Sequence, residues 1–477
     1  MKLEIVTILS LVLYYLLLGY SLLVSVIYIA LAVLSRIEIV SYFRKNSFVD
    51  YDDIPSSKLE PSISVIAPAY NESLNIVENI RSLLSLHYVD YEVIVVNDGS
   101  VDDSLEKLIK AYQLEKVTVE MNQRIQTKPI RKGIFKSKNP AFDKLVVIDK
   151  ENGGKADALN MGLNFSRSEY VASIDVDCLL LKDALQKMIK PFLEQAEVKV
   201  IAAGGVIRIV NSCVIKNGKL LEVNLPKDLL GRVQVLEYLR SFLLGRMAWS
   251  KLNGLLIVSG AFGIFDKEIA VNLGGYDTNT VGEDMEIVVR MRRYMEEQNI
   301  KYKVAYIPDP LCWTEAPQSY KILMSQRNRW TRGTIETLKK HRKIGFNYNY
   351  NTLGMLSYPY WLLFERGAPI FEVLGFFYFL TAIFLGSLTW IQVIVFFVVA
   401  YLLVVVYSLL AILTEQFTYN QYKNKGDVSK LIVTAFLETI VFHPFILYAA
   451  LKGNVDYYFN KNKKWGVMIR KGLSNNE

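Results

Sequence analysis

Three short runs carry residue types that could act together on a phosphorylated substrate. In IDVD, Asp175 and Asp177 set two carboxylates one residue apart at the end of an apolar stretch. Paired carboxylates repel unless a cation lies between them, and Mg2+ or Mn2+ is commonly held by one or two carboxylates plus substrate phosphates. The plainer alternative is that Asp177 caps a helix starting near Lys182. In GEDMEIVVRMRRYMEEQN (Gly282–Asn299), helical spacing puts Ile287, Val288, Met291 and Met295 on an apolar face. Glu283, Glu286, Arg290, Arg293 and Glu297 are then expected on a solvated one. Asp284 falls on the apolar side, and an inward carboxylate at the mouth of a site is a candidate general base. Glu283 reads as an acid in a first helical turn, favourable with the dipole. In QRNRW, Gln326, Arg329 and Trp330 stand at i, i+3 and i+4 and share one face. Arg329 offers a planar fork for phosphate oxygens; Trp330 offers a flat plate on which a sugar ring can stack. Arg327, Asn328, Thr331 and Arg332 turn away, so Arg327 is expected as a surface cation.

These residues need a scaffold. ISVIAPAY (Ile63–Tyr70), YEVIVVNDGS (Tyr91–Ser100), KLVVIDK (Lys144–Lys150) and YVASIDVDC (Tyr170–Cys178) read as strands. Helical patterns stand between or after them at Leu74–Leu86, Asp103–Leu114 and Ala156–Phe165. Alternating strands and helices predict an α/β fold with a mostly parallel sheet and helices on both faces. Ligands bind such sheets beyond the carboxyl ends of the strands, where Asp98, Asp175 and Asp177 fall. Because alternate strand residues share a face, Asp175 and Asp177 are expected to project together. NGGKADALN (Asn152–Asn160) is a glycine pair and Lys155 before a helix. Its backbone N–H groups and ammonium could approach an anion, or it is a turn with a surface lysine.

Around this domain the chain is strongly apolar. Of 477 residues 52% are hydrophobic, and Ile5–Leu34 and Val373–Leu413 carry no charge. A helix over Ile5–Leu34 would be about 45 Å long against roughly 30 Å of hydrocarbon, one tilted crossing. It is too long for a signal-peptide core and is followed by no small-residue cleavage site. Arg36, Arg44 and Lys45 come next, which puts the N-terminus outside and the following domain in the cytosol. Gly367–Gly386, Thr389–Leu413 and Leu431–Leu451 read as further crossings. A basic tail, KNKKWGVMIRK, on the same side as the domain requires an even number, so either Leu353–Phe364 crosses too or one segment only dips in. The expected layout is a membrane helix over 1–40, a cytosolic domain over 55–345, an interfacial or membrane segment over 350–366, membrane helices over 367–455 and a cytosolic tail over 456–477. The net charge of +8 fits basic cytosolic loops, and nothing points to nucleic acid. Cys178, Cys213 and Cys312 are too scattered for a metal site or a disulfide framework.

The order Asp98, IDVD, GED, QRNRW and then membrane helices resembles the processive membrane glycosyltransferases of family 2, which include cellulose, chitin, hyaluronan and poly-N-acetylglucosamine synthases. The likeness covers about Pro61 to Arg342 and the flanking membrane layout. It implies a cytosolic GT-A-type nucleotide-sugar domain in a multi-pass protein of the cell membrane, making a β-linked polysaccharide. The donor would be UDP-glucose or UDP-N-acetylglucosamine, and the acceptor the growing glycan. Asp98 would contact uridine beside Pro68, Tyr70 and Glu72 of PAYNE, and Lys155 would lie near the donor. Asp175 and Asp177 would bind the diphosphate and its metal, Mg2+ or Mn2+. Asp284 would be the base, Arg329 would hold the diphosphate, and Gln326 and Trp330 would meet the acceptor. Ser259 and Gly260 of SGAF would line the acceptor end. Glu365, Arg366, Glu372 and Glu438 would line a channel through the bilayer. Transfer of a single sugar to a lipid, and a non-enzymatic transporter or scaffold, are the competing readings. The sugar, the linkage and any small accessory membrane subunit stay open. The pattern departs from some relatives in having one N-terminal crossing rather than two and in lacking a C-terminal cyclic-dinucleotide receptor domain.

Overall fold

A computed structural model describes residues 2–47, 60–194, 197–216 and 218–459. The long apolar N-terminal run forms one helix, α1 (Lys2–Asn46), with Arg44 and Lys45 in its last turn. The domain after it alternates β1 (Ile63–Ala69), α2 (Ile76–Leu84), β2 (Tyr91–Asp98), α3 (Ser104–Tyr112), β3 (Leu114–Val117), β4 (Ile130–Ser137), β5 (Leu145–Lys150), α4 (Lys155–Phe165) and β6 (Tyr170–Ile174). Then come β7 (Leu179–Leu180), α5 (Ala184–Leu193), β8 (Lys199–Ile209) and a hairpin of β9 (Val214–Lys216) and β10 (Lys219–Glu222). The second half holds α6 (Leu229–Tyr238), a π-helical turn over Leu239–Gly245, α7 (Arg246–Lys251), β11 (Phe262–Asp266), α8 (Lys267–Asn272), α9 (Glu283–Glu297), β12 (Tyr302–Thr314) and α10 (Tyr320–Lys340).

The sheet runs β3-β4-β5-β2-β1-β6-β11-β8-β12-β7. Its central strands β5, β2, β1 and β6 are mutually parallel, as the βα alternation predicts, while β11 and the edge strands pair antiparallel. β1, β2 and β5 are almost wholly buried, as expected of strands covered on both faces. The strand expected to run through Asp177 stops at Ile174. Asp175 to Cys178 form a turn closed by the Cys178 N–H donating to Asp175 O at 2.9 Å, so strand alternation does not govern the acid pair.

Among the described residues, three helical stretches are long and apolar enough to cross a membrane: Ile8–Asn46, Trp390–Thr418 (α13) and Asp427–Phe459. The last comprises α14 (Asp427–Leu437), a π-helical turn and α15 (His443–Phe459). Leu353–Glu365, whose middle turn is α11 (Tyr358–Tyr360), meets α12 (Ala368–Phe384) at 41° and forms with it a bent fourth candidate. The tail from residue 460 onward, expected to be basic and cytosolic, lies outside the described residues. Membrane helices and domain are joined through polar contacts. Ser35 donates to Leu243 O at 2.9 Å, Lys251 pairs with Glu38 at 3.1 Å, and buried Arg208 of β8 pairs with buried Glu415 of α13.

Candidate active site

Asp98 ends β2 and is buried. Its carboxylate accepts from Lys150 Nζ at 2.6 Å, from the Gly153 N–H at 3.0 Å and from the Gly154 N–H at 2.8 Å. Lys150, fully buried, also pairs with Asp157 at 2.5 Å. This triad was not foreseen from the sequence, and it shapes the glycine turn. A Cβ on Gly153 would sit 2.4 Å from Asp157 Oδ2, and Gly154 has φ +87°, a conformation natural to glycine.

The turn delivers Lys155 at the start of α4. Its ammonium lies 2.5 Å from Asp175 Oδ1 and 3.5 Å from Glu283 Oε1, and it donates to Gly260 O at 3.0 Å. Burial opposes its charge, but Asp175, Glu283 and Asp284 outweigh burial and raise its pKa above the ordinary value. It is therefore the centre of an acidic cluster and not a surface lysine. Asp183, not Asp177, stands at the N-cap of α5, so the capping alternative for Asp177 fails. Asp177 is buried, and the Asp175 side chain is 31% exposed. Among the described residues no three His, Cys, Asp or Glu gather as a metal site. Two carboxylates that need substrate phosphates to complete the shell fit Mg2+ or Mn2+ better than a cage built by protein alone.

The first turn of α9 departs from the expected solvated face. Glu283 and Glu286 are buried. Burial raises the Glu283 carboxyl above its usual range, with Lys155 pulling it back. Glu286 meets Arg290 at 2.8 Å, Lys340 at 2.6 Å and His341 at 3.2 Å, which ties α9 to the end of α10. The two helices touch backbone to backbone, since a Cβ on Gly333 would lie 2.8 Å from Gly282 Cα. Asp284 is half-buried and rests against Gly260, where a Cβ would come 2.5 Å from its Oδ2. Ser259 is buried, and its Oγ accepts from the Ala261 N–H at 3.0 Å.

On α10, Gln326, Arg329 and Trp330 all line the same cavity as Asp284. Gln326 is buried with Oε1 unpartnered among the described residues, and Trp330 is 41% exposed. Arg327 is a correction: it is buried, pairs with Glu237 of α6 at 2.8 Å and lies over the Trp330 ring at 4.0 Å. Its partner is remote in sequence, so helical spacing alone could not place it.

One cavity of about 2650 Å³ joins these groups. Pro68, Tyr70, Glu72, Asp98, Lys155, Asp175, Asp177, Ser259, Gly260, Asp284, Gln326, Arg329 and Trp330 all line it. It continues between the membrane helices past Tyr28, Glu365, Arg366, Glu372, Tyr407 and His443. Glu438 does not line it; it holds cavity-lining Arg240 through two bonds of 2.6 and 2.5 Å.

Residues 64–212 match the model of glycosyl transferase family 2, and residues 170–410, just over half the chain, match that of glycosyl transferase family group 2. The chain belongs to this family of glycosyl transferases. It is 28% identical over 315 residues to the poly-beta-1,6-N-acetyl-D-glucosamine synthase of Staphylococcus aureus (strain COL), a match covering 66% of this chain and 63% of that protein. The Staphylococcus epidermidis protein of the same name is 28% identical over 277 residues, covering 58% and 55%. A solved mannosyltransferase from Pyrobaculum calidifontis, in complex with GDP-Man and Mn2+, shares the fold with a TM-score of 0.50 at 17% identity, covering 92% of this chain and 100% of its own.

Proposed function

We propose that the protein is a membrane-embedded, inverting polysaccharide synthase that adds sugars from a UDP-sugar to a β-linked glycan and passes the product into the bilayer. The observation that carries this reading is the single cavity running from the strand ends at Asp98, past Asp284 and Trp330, to the membrane helices. A site for one transfer to a small acceptor has no need of that extension. The staphylococcal relatives are named for N-acetylglucosamine, so UDP-N-acetylglucosamine comes first among donors, with UDP-glucose as the alternative. The reading places the catalytic domain on the cytosolic side of a multi-pass protein, with the cations after α1 facing the cytosol.

In this reading the nucleoside lies along Pro68, Tyr70, Glu72 and Asp98, with Asp98 also holding the glycine turn. Lys155 keeps Asp175 in place, and Arg329 binds the diphosphate. Mg2+ or Mn2+, held by Asp175 and Asp177, would offset the charge that grows on the departing diphosphate. The acceptor hydroxyl attacks the anomeric carbon, the bond to UDP breaks, and Asp284 takes the proton. Attack opposite the leaving group turns an α-linked donor into a β-linked product. The acceptor sugar lies between Gln326, Trp330 and the Ser259–Gly260 turn.

The test is purified protein in nanodiscs with a panel of UDP-sugars, measuring UDP release and product length. A ladder or polymer from one donor, stopped by EDTA and restored by Mg2+ or Mn2+, is expected. A single lipid-linked sugar would overturn processivity, and full turnover in EDTA would remove the metal role of Asp175 and Asp177.

A further inference from the structure

The geometry points to Arg327 as a positioning residue for the Trp330 ring, itself held by Glu237. This rests on the reading of Trp330 as the plate for the acceptor sugar. Three residues apart on α10, the two side chains meet with the guanidinium carbon 4.0 Å from the ring centroid. Trp330 is the more exposed partner and lines the cavity, while Arg327 is 5% exposed and does not line it. The guanidinium therefore covers one face of the indole and leaves the other for the cavity. Glu237 reaches it from α6 at 2.8 Å, with side-chain exposures of 6% for Arg327 and 28% for Glu237.

A cation that served only to hold α10 against α6 would spread its donors over both helices. Here a single Nη2 bonds to Glu237, and Nε and Nη1 are buried with no partner among the described residues. Beyond that bond the group lies over the Trp330 ring, and a buried cation over an indole is the stronger form of that interaction. A planar guanidinium fills this role, and a lysine ammonium, a compact point charge, does not. Glu237, Arg327 and Trp330 thus form a relay that fixes the angle of the sugar platform. Of the two arginines in QRNRW, Arg329 faces the substrate and Arg327 faces the tryptophan.

The experiment compares wild type, Arg327→Lys, Glu237→Gln, Trp330→Ala and the double variant Arg327→Lys/Trp330→Ala. UDP-N-acetylglucosamine is the donor and short N-acetylglucosamine oligosaccharides are the acceptor. Arg327→Lys keeps the charge and the reach to Glu237, so it is the variant most apt to fold. It should raise KM for the oligosaccharide about tenfold, shorten the product and leave the donor KM within about twofold. Glu237→Gln should change the same parameters less. In the Trp330→Ala background Arg327→Lys should add little, because its effect passes through the ring. Equal shifts in donor and acceptor KM, or full additivity in the double variant, would overturn the inference and make Arg327 a fastener between helices. A second readout does not depend on activity. With 5-fluorotryptophan incorporated, the Trp330 fluorine resonance, assigned by its loss in Trp330→Phe, should shift and broaden in Arg327→Lys. An unchanged resonance overturns the clamp even if the enzyme is active. A changed resonance in a protein that turns over no UDP-sugar supports the clamp and places the failure in the functional reading.

Discussion

The two ends of the cavity are built by different means. At the strand-end side Asp98 of β2, Lys150 at the end of β5, the Gly153–Gly154 turn and Asp157 of α4 satisfy one another, with the three charged side chains buried. At the membrane end the partners come from distant parts of the chain. Arg240 meets Glu438, Tyr28 stacks on Tyr407 at 5.0 Å, and His443 meets Glu372 at 2.7 Å with both side chains over 40% exposed. The strand-end side is held rigid by these bonds, which suits the proposed role of offsetting charge as it develops. The membrane end is an aromatic and ionic lining of side-chain pairs; in the proposed reading these would exchange partners with a passing hydroxylated chain. Asp284 and Trp330 stand where the two constructions meet.

The largest effect should fall at that meeting point. Asp284→Asn removes a proton acceptor and keeps the shape, so transfer should fall by roughly a hundred- to ten-thousandfold, while UDP binding measured by calorimetry stays near wild type. Retained transfer would remove Asp284 from the base role. Next comes Lys150→Met, which leaves Asp98 and Asp157 buried without their cation. Breaking a buried pair in this way costs about 3–5 kcal/mol. The thermal unfolding transition should shift down, and UDP binding should weaken because the Gly153–Gly154 turn loses its support. A variant with wild-type melting would show that the strand-end side is less rigid than its hydrogen bonds imply. Gly260→Ala acts on the same region more locally. Its methyl would sit 2.5 Å from Asp284 Oδ2, and displacement of a reacting group by about an ångström can cost roughly a hundredfold in rate. kcat should fall with donor KM little changed.

The contrast also explains what could be read from the sequence. The four parallel central strands and α2, α3, α4 and α9 were legible to within a few residues, because each is set by a local apolar period. So was the shared face of Gln326, Arg329 and Trp330. What failed depended on partners from elsewhere. Glu286 looked solvated because its partners Lys340 and His341 lie at the end of α10. Arg327 looked like a surface cation because Glu237 is 90 residues away. The acid pair was assigned to a strand because apolar pattern says little about where a strand yields to a turn, and Ile174 is the last residue of β6. The Gly282–Gly333 contact left no sequence signal beyond two glycines, since a backbone approach has no side chain to reveal it.

The smallest expected effect probes the membrane end with the same perturbation that Gly260→Ala applies to the middle. Gly453 of α15 lies against α10, and a Cβ there would come 2.8 Å from Thr331 Cβ and 3.1 Å from Asn328 O. Thr331 follows Trp330 directly, so the added methyl would push a membrane helix away from the platform helix by a few tenths of an ångström. Overpacking of this kind typically costs about 1–3 kcal/mol of stability, and the reacting groups are not displaced. Gly453→Ala should therefore leave UDP release within about threefold of wild type, far short of the loss expected for a misplaced reacting group. If the proposed path of the polymer runs beside α15, whose Leu451 and Asn454 line the cavity, the product should shorten. If the two alanine variants lowered kcat equally, the ends would be one rigid unit and the division drawn between them would be wrong. If Gly453→Ala changed product length alone, α15 would act on the path of the polymer and not on the chemistry that extends it.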